Sequence, residues 1–272
     1  MGRGQLGKRL LAATIAGFLF SGPAGAAESL DAGEDFALEI HKPDGPGPYP
    51  TVLLLHGCAG LTPAVHQGLR DHAAFLAAAG YLAAILDSFG RRGRDGGRVC
   101  RSLEELGYAR HYRVQDVARS RDILAALPEV DARNFFVIGQ SNGGSVALAL
   151  AAGAGEANGT GQDDAAGAPA FQAIVAYYPW CGAISAAPTL VAPLLVLGAG
   201  DDDWVSPEGC RQRAAKAEGA AMEVVVYDGA HHSFDLPIER QVYEGHVVAG
   251  DEDATRDSRA RILDFFARHR QP

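Results

Sequence analysis

Short apolar runs alternate along the chain with longer segments of helical periodicity. Thr51-Val52-Leu53-Leu54-Leu55, Tyr81 to Leu86, Phe135-Phe136-Val137-Ile138, Ala173 to Tyr177, Leu194 to Leu197 and Met222 to Tyr227 are too short for helices. Their richness in β-branched, leucine and aromatic residues predicts buried parallel strands. Phe36 to His41 alternates apolar and polar residues, the pattern of a half-buried edge strand. Helical spacing runs over Ala64 to Ala79, stopped by Gly80, and over Tyr112 to Leu127, closed by Pro128. It returns over Gly144 to Ala152 and over Asp253 to His269, whose Ile262, Leu263, Phe265 and Phe266 share one face. Lys42 to Pro50 is a Pro- and Gly-rich surface turn, and Gly90 to Gly97 reads as a mobile basic loop. Gly153 to Pro169 reads as a flexible surface insertion, because the strand–helix rhythm resumes after it. Strands alternating with helices predict one α/β domain: a mostly parallel sheet with helices on both faces.

Composition narrows this further. An apolar share of 47% over 272 residues supplies a full core, with no repeat and no second core. The N-terminus stands apart. Arg3, Lys8 and Arg9 precede the apolar run Leu10 to Phe20, which leads to Ser21-Gly22-Pro23-Ala24-Gly25-Ala26. That layout predicts a signal peptide over residues 1–26, cleaved near Ala26 or Ala27, with an uncleaved membrane anchor as the alternative. The domain then covers residues 27–272, and the expected location is secreted or periplasmic. The formal net charge is −9, and cleavage removes positive charges only, so neither nucleic acid nor an anionic membrane is an expected partner. Cys58, Cys100, Cys181 and Cys210 form no C-x-x-C pair, which argues against zinc. In an oxidising compartment they read as two disulfides with three possible connectivities. Cys58–Cys100 and Cys181–Cys210 are the expected pairs, since each would staple two loops leaving the same end of the sheet.

The candidate chemistry follows the strands. Gly139-Gln140-Ser141-Asn142-Gly143 matches G-x-S-x-G between a buried strand and a helix, the setting of a nucleophile elbow. Downstream come Asp201-Asp202-Asp203 and His231-His232, each just past a strand, in the Ser–Asp–His order of α/β-hydrolases. A serine hydroxyl is a weak nucleophile until an imidazole takes its proton and a carboxylate fixes the imidazole tautomer. Ser141, one of Asp201, Asp202 and Asp203, and one of His231 and His232 are the candidate catalytic residues. The Asn142 and Cys58 N–H groups are the predicted oxyanion donors. His56 reads as a structural residue, and His72 and His246 as surface or satisfied histidines. Arg91, in the basic loop with Arg92 and Arg94, is a candidate to bind a substrate carboxylate, against a merely solvated role. Trp204 and Tyr178 are candidate substrate contacts that packing would explain equally well.

These stretches resemble the dienelactone hydrolase family, in its secreted, serine-containing form. The matching residues are His56-Gly57-Cys58, Asp87-Ser88-Phe89 with the Arg/Gly loop, Gly139 to Gly143 and Tyr178-Pro179-Trp180-Cys181. The match continues through Asp202-Asp203-Trp204, Gly229 to Phe234 and Tyr243-Glu244-Gly245-His246. The resemblance implies Ser141, Asp202 and His232 as the catalytic residues: His232-Ser233-Phe234 fits the family's H-x-F, with His231 supporting the loop, and Asp202 fits the family's spacing to Val205 and Pro207, with Asp201 the alternative acid. The resemblance implies hydrolysis of small esters or lactones through an acyl-enzyme, with no metal or organic cofactor. One departure stands out: the enzyme that names the family has a cysteine nucleophile where this chain has Ser141, so dienelactone itself is not the expected substrate. Two other readings are a peptidase or acyltransferase on the same triad, and a catalytically idle hydrolase fold used for binding. The sequence leaves the oligomeric state open.

Overall fold

The computed structural model describes residues 27–154 and 171–272. The signal-peptide segment and nearly all of the Gly153–Pro169 insertion therefore lie outside the described residues.

The chain builds an eight-stranded sheet from β1 (Glu28–Asp31), β2 (Ala37–His41), β3 (Tyr49–Leu55), β4 (Leu82–Asp87), β5 (Val130–Gln140), β6 (Ala173–Tyr177), β8 (Leu194–Ala199) and β10 (Met222–Tyr227). Their order is β1-β2-β4-β3-β5-β6-β8-β10. The pairs β1/β2 and β2/β4 are antiparallel, and every pair from β4 to β10 is parallel. Small two-stranded pairings join β7 (Thr189–Leu190) to β9 (Glu218–Gly219) and β11 (Gln241–Tyr243) to β12 (His246–Val248). The helices are α1 (Pro63–Ala78), α2 (Gly96–Arg101), α3 (Leu103–Ala125), α4 (Asn142–Ala151), α5 (Glu208–Ala214) and α6 (Glu252–His269). Among the described residues no helix is long and apolar enough to cross a membrane.

Alternation within the central strands feeds both faces. Val52 and Leu54 of β3 join α1 and α6 in one core, where Leu69, Phe265 and Phe266 meet Phe136. Leu53 and Leu55 turn the other way, onto Val117 of α3 and Val146 and Leu148 of α4. A parallel strand covered on both sides reads as a near-continuous apolar run, and all seven residues of β3 are buried.

Three elements differ from expectation. The Phe36–His41 strand is not an edge, because β1 pairs outside it. With only Leu30 as a strong apolar residue, Glu28–Asp31 carries little signal of its own. Helix α3 begins nine residues before Tyr112: Ser102 accepts from the Glu105 N–H at 3.2 Å, an N-cap that overrides the weak helix preference of Gly107. The basic loop is tied down rather than loose. Arg91 pairs with Asp31 at 3.0 Å, and Arg94 with Glu105 at 3.6 Å. Arg92 makes a two-pronged bond to Asp116 at 2.7 and 2.8 Å.

Candidate active site

Strand β5 delivers Ser141 at its C-terminal end. The residue has φ 52° and ψ −112°, a left-handed conformation that a non-glycine residue holds only at a cost of about 1–3 kcal/mol. Close packing imposes it. A Cβ on Gly143 would lie 2.5 Å from the Leu55 carbonyl oxygen, and one on Gly139 would collide with the Gly143 carbonyl. Strand and helix can therefore meet only through glycine, and the turn between them lifts the serine out of the sheet. Tyr178 (φ 35°) and Ser233 (φ 67°) are likewise in positive-φ conformations, so three of the four such non-glycine residues among the described ones border this site.

His232 links the serine to the acid. Its Nε2 lies 3.0 Å from Ser141 Oγ, and its Nδ1 lies 2.7 Å from Asp202 Oδ2. The ring is buried between Tyr178, at a centroid distance of 4.5 Å, and Trp204, at 5.1 Å. The other Asp202 oxygen accepts from the Trp204 and Val205 N–H groups at 2.9 and 2.8 Å, so a buried carboxylate has both oxygens satisfied. The neighbouring aspartates do other work. Asp201 is exposed and its carbonyl meets His231 Nδ1 at 3.0 Å, which ties the two loops together. Asp203 accepts from the Val247 N–H at 3.1 Å and pairs with His246 at 3.5 Å. Among the three, only Asp202 reaches His232.

The oxyanion candidates come from two loops that touch at the serine. Gly57 lies so close that a Cβ there would be 3.3 Å from Ser141 Cβ, which brings the Cys58 backbone alongside. Asn142 is the first residue of α4, where an N–H has no intrahelical acceptor. Disulfides Cys58–Cys100 and Cys181–Cys210 are present, with Cα separations of 5.1 and 5.2 Å. They fasten the Cys58 loop to α2 and the loop after β6 to α5. His56 is wholly buried; its Nδ1 donates to the Gly57 carbonyl at 2.7 Å, its Nε2 has no hydrogen-bond partner among the described residues, and burial holds its pKa well below the usual value, so it stays neutral.

Two cavities open on the serine, sharing Cys58, Ser141 and Trp204 as a common wall. The first, about 250 Å³, includes His232, Tyr178, Val65, Leu236 and Ile238. The second, about 390 Å³, includes Asn142, Leu106, Arg110, Trp180 and Val205. Trp204 and Tyr178 thus stand at the site. Arg91 does not: it lines neither cavity, and its guanidinium is held at β1 by Asp31 and the Gly33 carbonyl. The loop arginines are consumed by acidic partners that sequence order hides, so Arg91 has no carboxylate-binding place here.

Several residues beneath the site carried no sequence signal. Asp235 is wholly buried and accepts from His72 Nε2 at 2.9 Å, from Gln140 Nε2 at 2.6 Å and from the Tyr178 hydroxyl. Burial alone would raise its pKa, but those bonds outweigh it and keep the carboxyl below its usual value. Arg113, a charged residue in the middle of α3, is buried beside the serine loop. The only hint was position: Asp235 follows the H-x-F stretch directly. Among the described residues, no group of His, Cys, Asp and Glu is arranged to hold a metal ion.

A mostly parallel sheet flanked by helices, with its polar residues gathered past the C-terminal strand ends, defines an α/β-hydrolase fold. The chain belongs to the dienelactone hydrolase family, whose model matches residues 36–270. No curated protein sequence matches it. Among solved structures it is similar to a protein of Klebsiella pneumoniae subsp. pneumoniae assigned as a dienelactone hydrolase. The two are 22% identical over 89% of this chain and 99% of that one, with a TM-score of 0.64. A dienelactone hydrolase-like promiscuous phosphotriesterase, P91, from metagenomic libraries matches at 22% identity over 90% and 99%, TM-score 0.60. Esterase 2 of Thermogutta terrifontis, phosphorylated by paraoxon, matches at 16% identity over 90% and 93%, TM-score 0.61.

Proposed function

We propose that this hydrolase cleaves small carboxylic esters or lactones through an acyl-enzyme on Ser141, with His232 as general base and Asp202 as its orienting acid. The observation that carries the reading is the single row Ser141 Oγ, His232 and Asp202, joined at 3.0 and 2.7 Å. In the first step Ser141 Oγ bonds to the substrate carbonyl carbon and its proton passes to His232 Nε2. The carbonyl electron pair moves onto oxygen, facing the Cys58 and Asn142 N–H groups. When the tetrahedral state collapses, the C–O bond to the alcohol breaks and Nε2 returns the proton to the leaving oxygen. Water repeats the sequence on the acyl-serine and releases the acid.

The proton route assigns the two cavities. The leaving oxygen must lie next to His232 Nε2, so the alcohol belongs in the 250 Å³ cavity that His232 lines. The acyl group then extends into the 390 Å³ cavity past Asn142. Cavities of this size, walled by Val65, Leu236, Leu106 and Trp180, suit short or single-ring apolar groups. Export is part of the proposal: residues 1–26 act as a cleaved signal, and the two disulfides fit an oxidising compartment.

The test is covalent labelling. A fluorophosphonate probe, suggested by the organophosphorus adduct on the T. terrifontis esterase, is expected to add one equivalent at Ser141 and abolish p-nitrophenyl ester turnover. Ser141→Ala should lose both label and turnover while melting like the parent. Retained turnover in that variant removes the serine from the mechanism. Intact mass of exported protein checks the cleavage near Ala26.

A further inference from the structure

Among the described residues Arg113 is the one arginine with a side chain wholly enclosed in the protein, 1% exposed, and none of their carboxylates is bonded to it. The nearby Asp116 is committed to Arg92 through two bonds. Arg113 instead forks to two oxygens. Its Nη1 donates to Asn142 Oδ1 at 2.7 Å and its Nη2 to the His56 carbonyl at 2.7 Å. Its Nε has no hydrogen-bond partner among the described residues, and the guanidinium stands 5.3 Å from the centroid of the Phe89 ring. Burial lowers its pKa to about 10, partly offset by Tyr112, Asp116 and Asp87, so it remains charged at neutral pH.

An enclosed cation with no carboxylate bonded to it is expensive, and an apolar residue of similar volume often serves a core as well or better. Its two acceptors explain its position. Asn142 and the loop opened by His56 carry the two N–H groups assigned above to the oxyanion. We propose that Arg113 is the positioning residue of the oxyanion hole, clamping the Cys58 loop and the α4 start at the separation the tetrahedral oxygen requires. This rests on the acyl-transfer reading. A planar fork can hold two acceptors at a fixed distance, whereas the point charge of a lysine cannot. Its positive charge also favours the anionic tetrahedral state over the neutral ester, so its contribution falls on the transition state.

The experiment compares Arg113→Lys, Arg113→Met and Asn142→Ala with the parent. Labelling with fluorophosphonate to completion counts the competent sites, so kcat is expressed per labelled serine. Arg113→Lys is expected to lower that kcat about 10- to 100-fold with KM within about twofold, as displaced donors do. The Ki of a trifluoromethyl ketone, which forms a tetrahedral adduct with the serine, should rise by the same factor. Asn142→Ala removes one arm of the clamp and should cost several-fold. Its effect should shrink once Arg113 is already lysine, because the two changes break one linkage. If kcat per labelled site and the ketone Ki stay at parental values while only melting temperature or labelled fraction falls, Arg113 is a core residue and the assignment is wrong. Additive effects of Asn142→Ala and Arg113→Lys also overturn it. Should Arg113→Met fail to fold, the lysine and alanine variants decide the question alone. A parent protein that takes no label defeats the acyl-transfer reading itself, a result distinct from labelled variants that are unaffected.

Discussion

Asp202→Asn tests the site most sharply, because the surrounding bonds dictate how the asparagine must sit. In the parent, Oδ1 accepts from two backbone N–H groups, those of Trp204 and Val205, while Oδ2 faces His232 Nδ1. An asparagine amide has one oxygen and one NH₂. Placing the oxygen at the Oδ1 position keeps both backbone bonds; reversing it points NH₂ at two donors and forfeits them. Each such bond is worth about 1 kcal/mol net, so the first orientation is favoured by about 2 kcal/mol before the donor–donor repulsion is added. The NH₂ group then points at His232 Nδ1 and makes it an acceptor. The proton moves to Nε2, the nitrogen 3.0 Å from Ser141 Oγ, and the base can no longer accept. The expected loss is about 10⁴-fold in kcat, with KM little changed and the fold intact. Asp201→Asn and Asp203→Asn, whose side chains do not reach His232, should stay within about threefold of the parent, as exposed substitutions away from the reacting atoms do. The assay is initial-rate hydrolysis of p-nitrophenyl acetate, with circular dichroism as the folding control. Asp202→Asn within tenfold of the parent, or a severe loss in Asp201→Asn instead, refutes the reasoning.

Other perturbations have equally definite outcomes. Gly143→Ala places a Cβ 2.5 Å from the Leu55 oxygen and 2.6 Å from the His56 oxygen, and should cost at least about 2 kcal/mol in urea unfolding as the elbow is forced open. The disulfides close loops with sequence separations of 42 and 29, each worth about 3.5–4 kcal/mol in the chain-entropy picture, so removing either pair should lower the melting temperature clearly. Loss of Cys58–Cys100 should in addition lower kcat, because Cys58 borders the serine, whereas loss of Cys181–Cys210 should act chiefly on stability. Glu39 supplies a pH test. Burial would raise its pKa, but hydrogen bonds from Arg70, His41 and His66 prevail and hold it at about 2, against 4.5 for the free group. Its stabilising contribution is therefore complete above pH 4.5 and is lost as pH falls towards 2. Acid unfolding of Glu39→Gln should show a shallower pH dependence across that window, and an unchanged slope would contradict the assignment.

Local order in the chain was enough for the architecture and for the serine. Runs such as Val52–Leu55 and Ala173–Tyr177 are apolar at every position because they lie inside a sheet covered twice, and no distant residue is needed to read them. Ser141 was legible for the same reason: the strand, its glycines and the following helix are contiguous. The extra edge strand Glu28–Asp31 was not, because its pairing is backbone bonding to β2 and its side chains hold one strong apolar residue.

The family's spacing favoured Asp202 and left Asp201 open; which aspartate meets His232 depends on the fold, since successive side chains in a turn point in different directions and, of the three, Asp202 faces the ring across 30 residues. Charged residues hid the most. Arg91 looked free in its loop, yet Asp31 sits against it. Arg113, which drew no reading from the sequence, lies enclosed between partners 57 residues before it and 29 after it. Periodicity reports which way a residue faces on its own element. Which charges are buried, and what compensates them, depends on chain segments that only tertiary packing brings together, because a charge is tolerated in the interior only where distant groups supply its bonds.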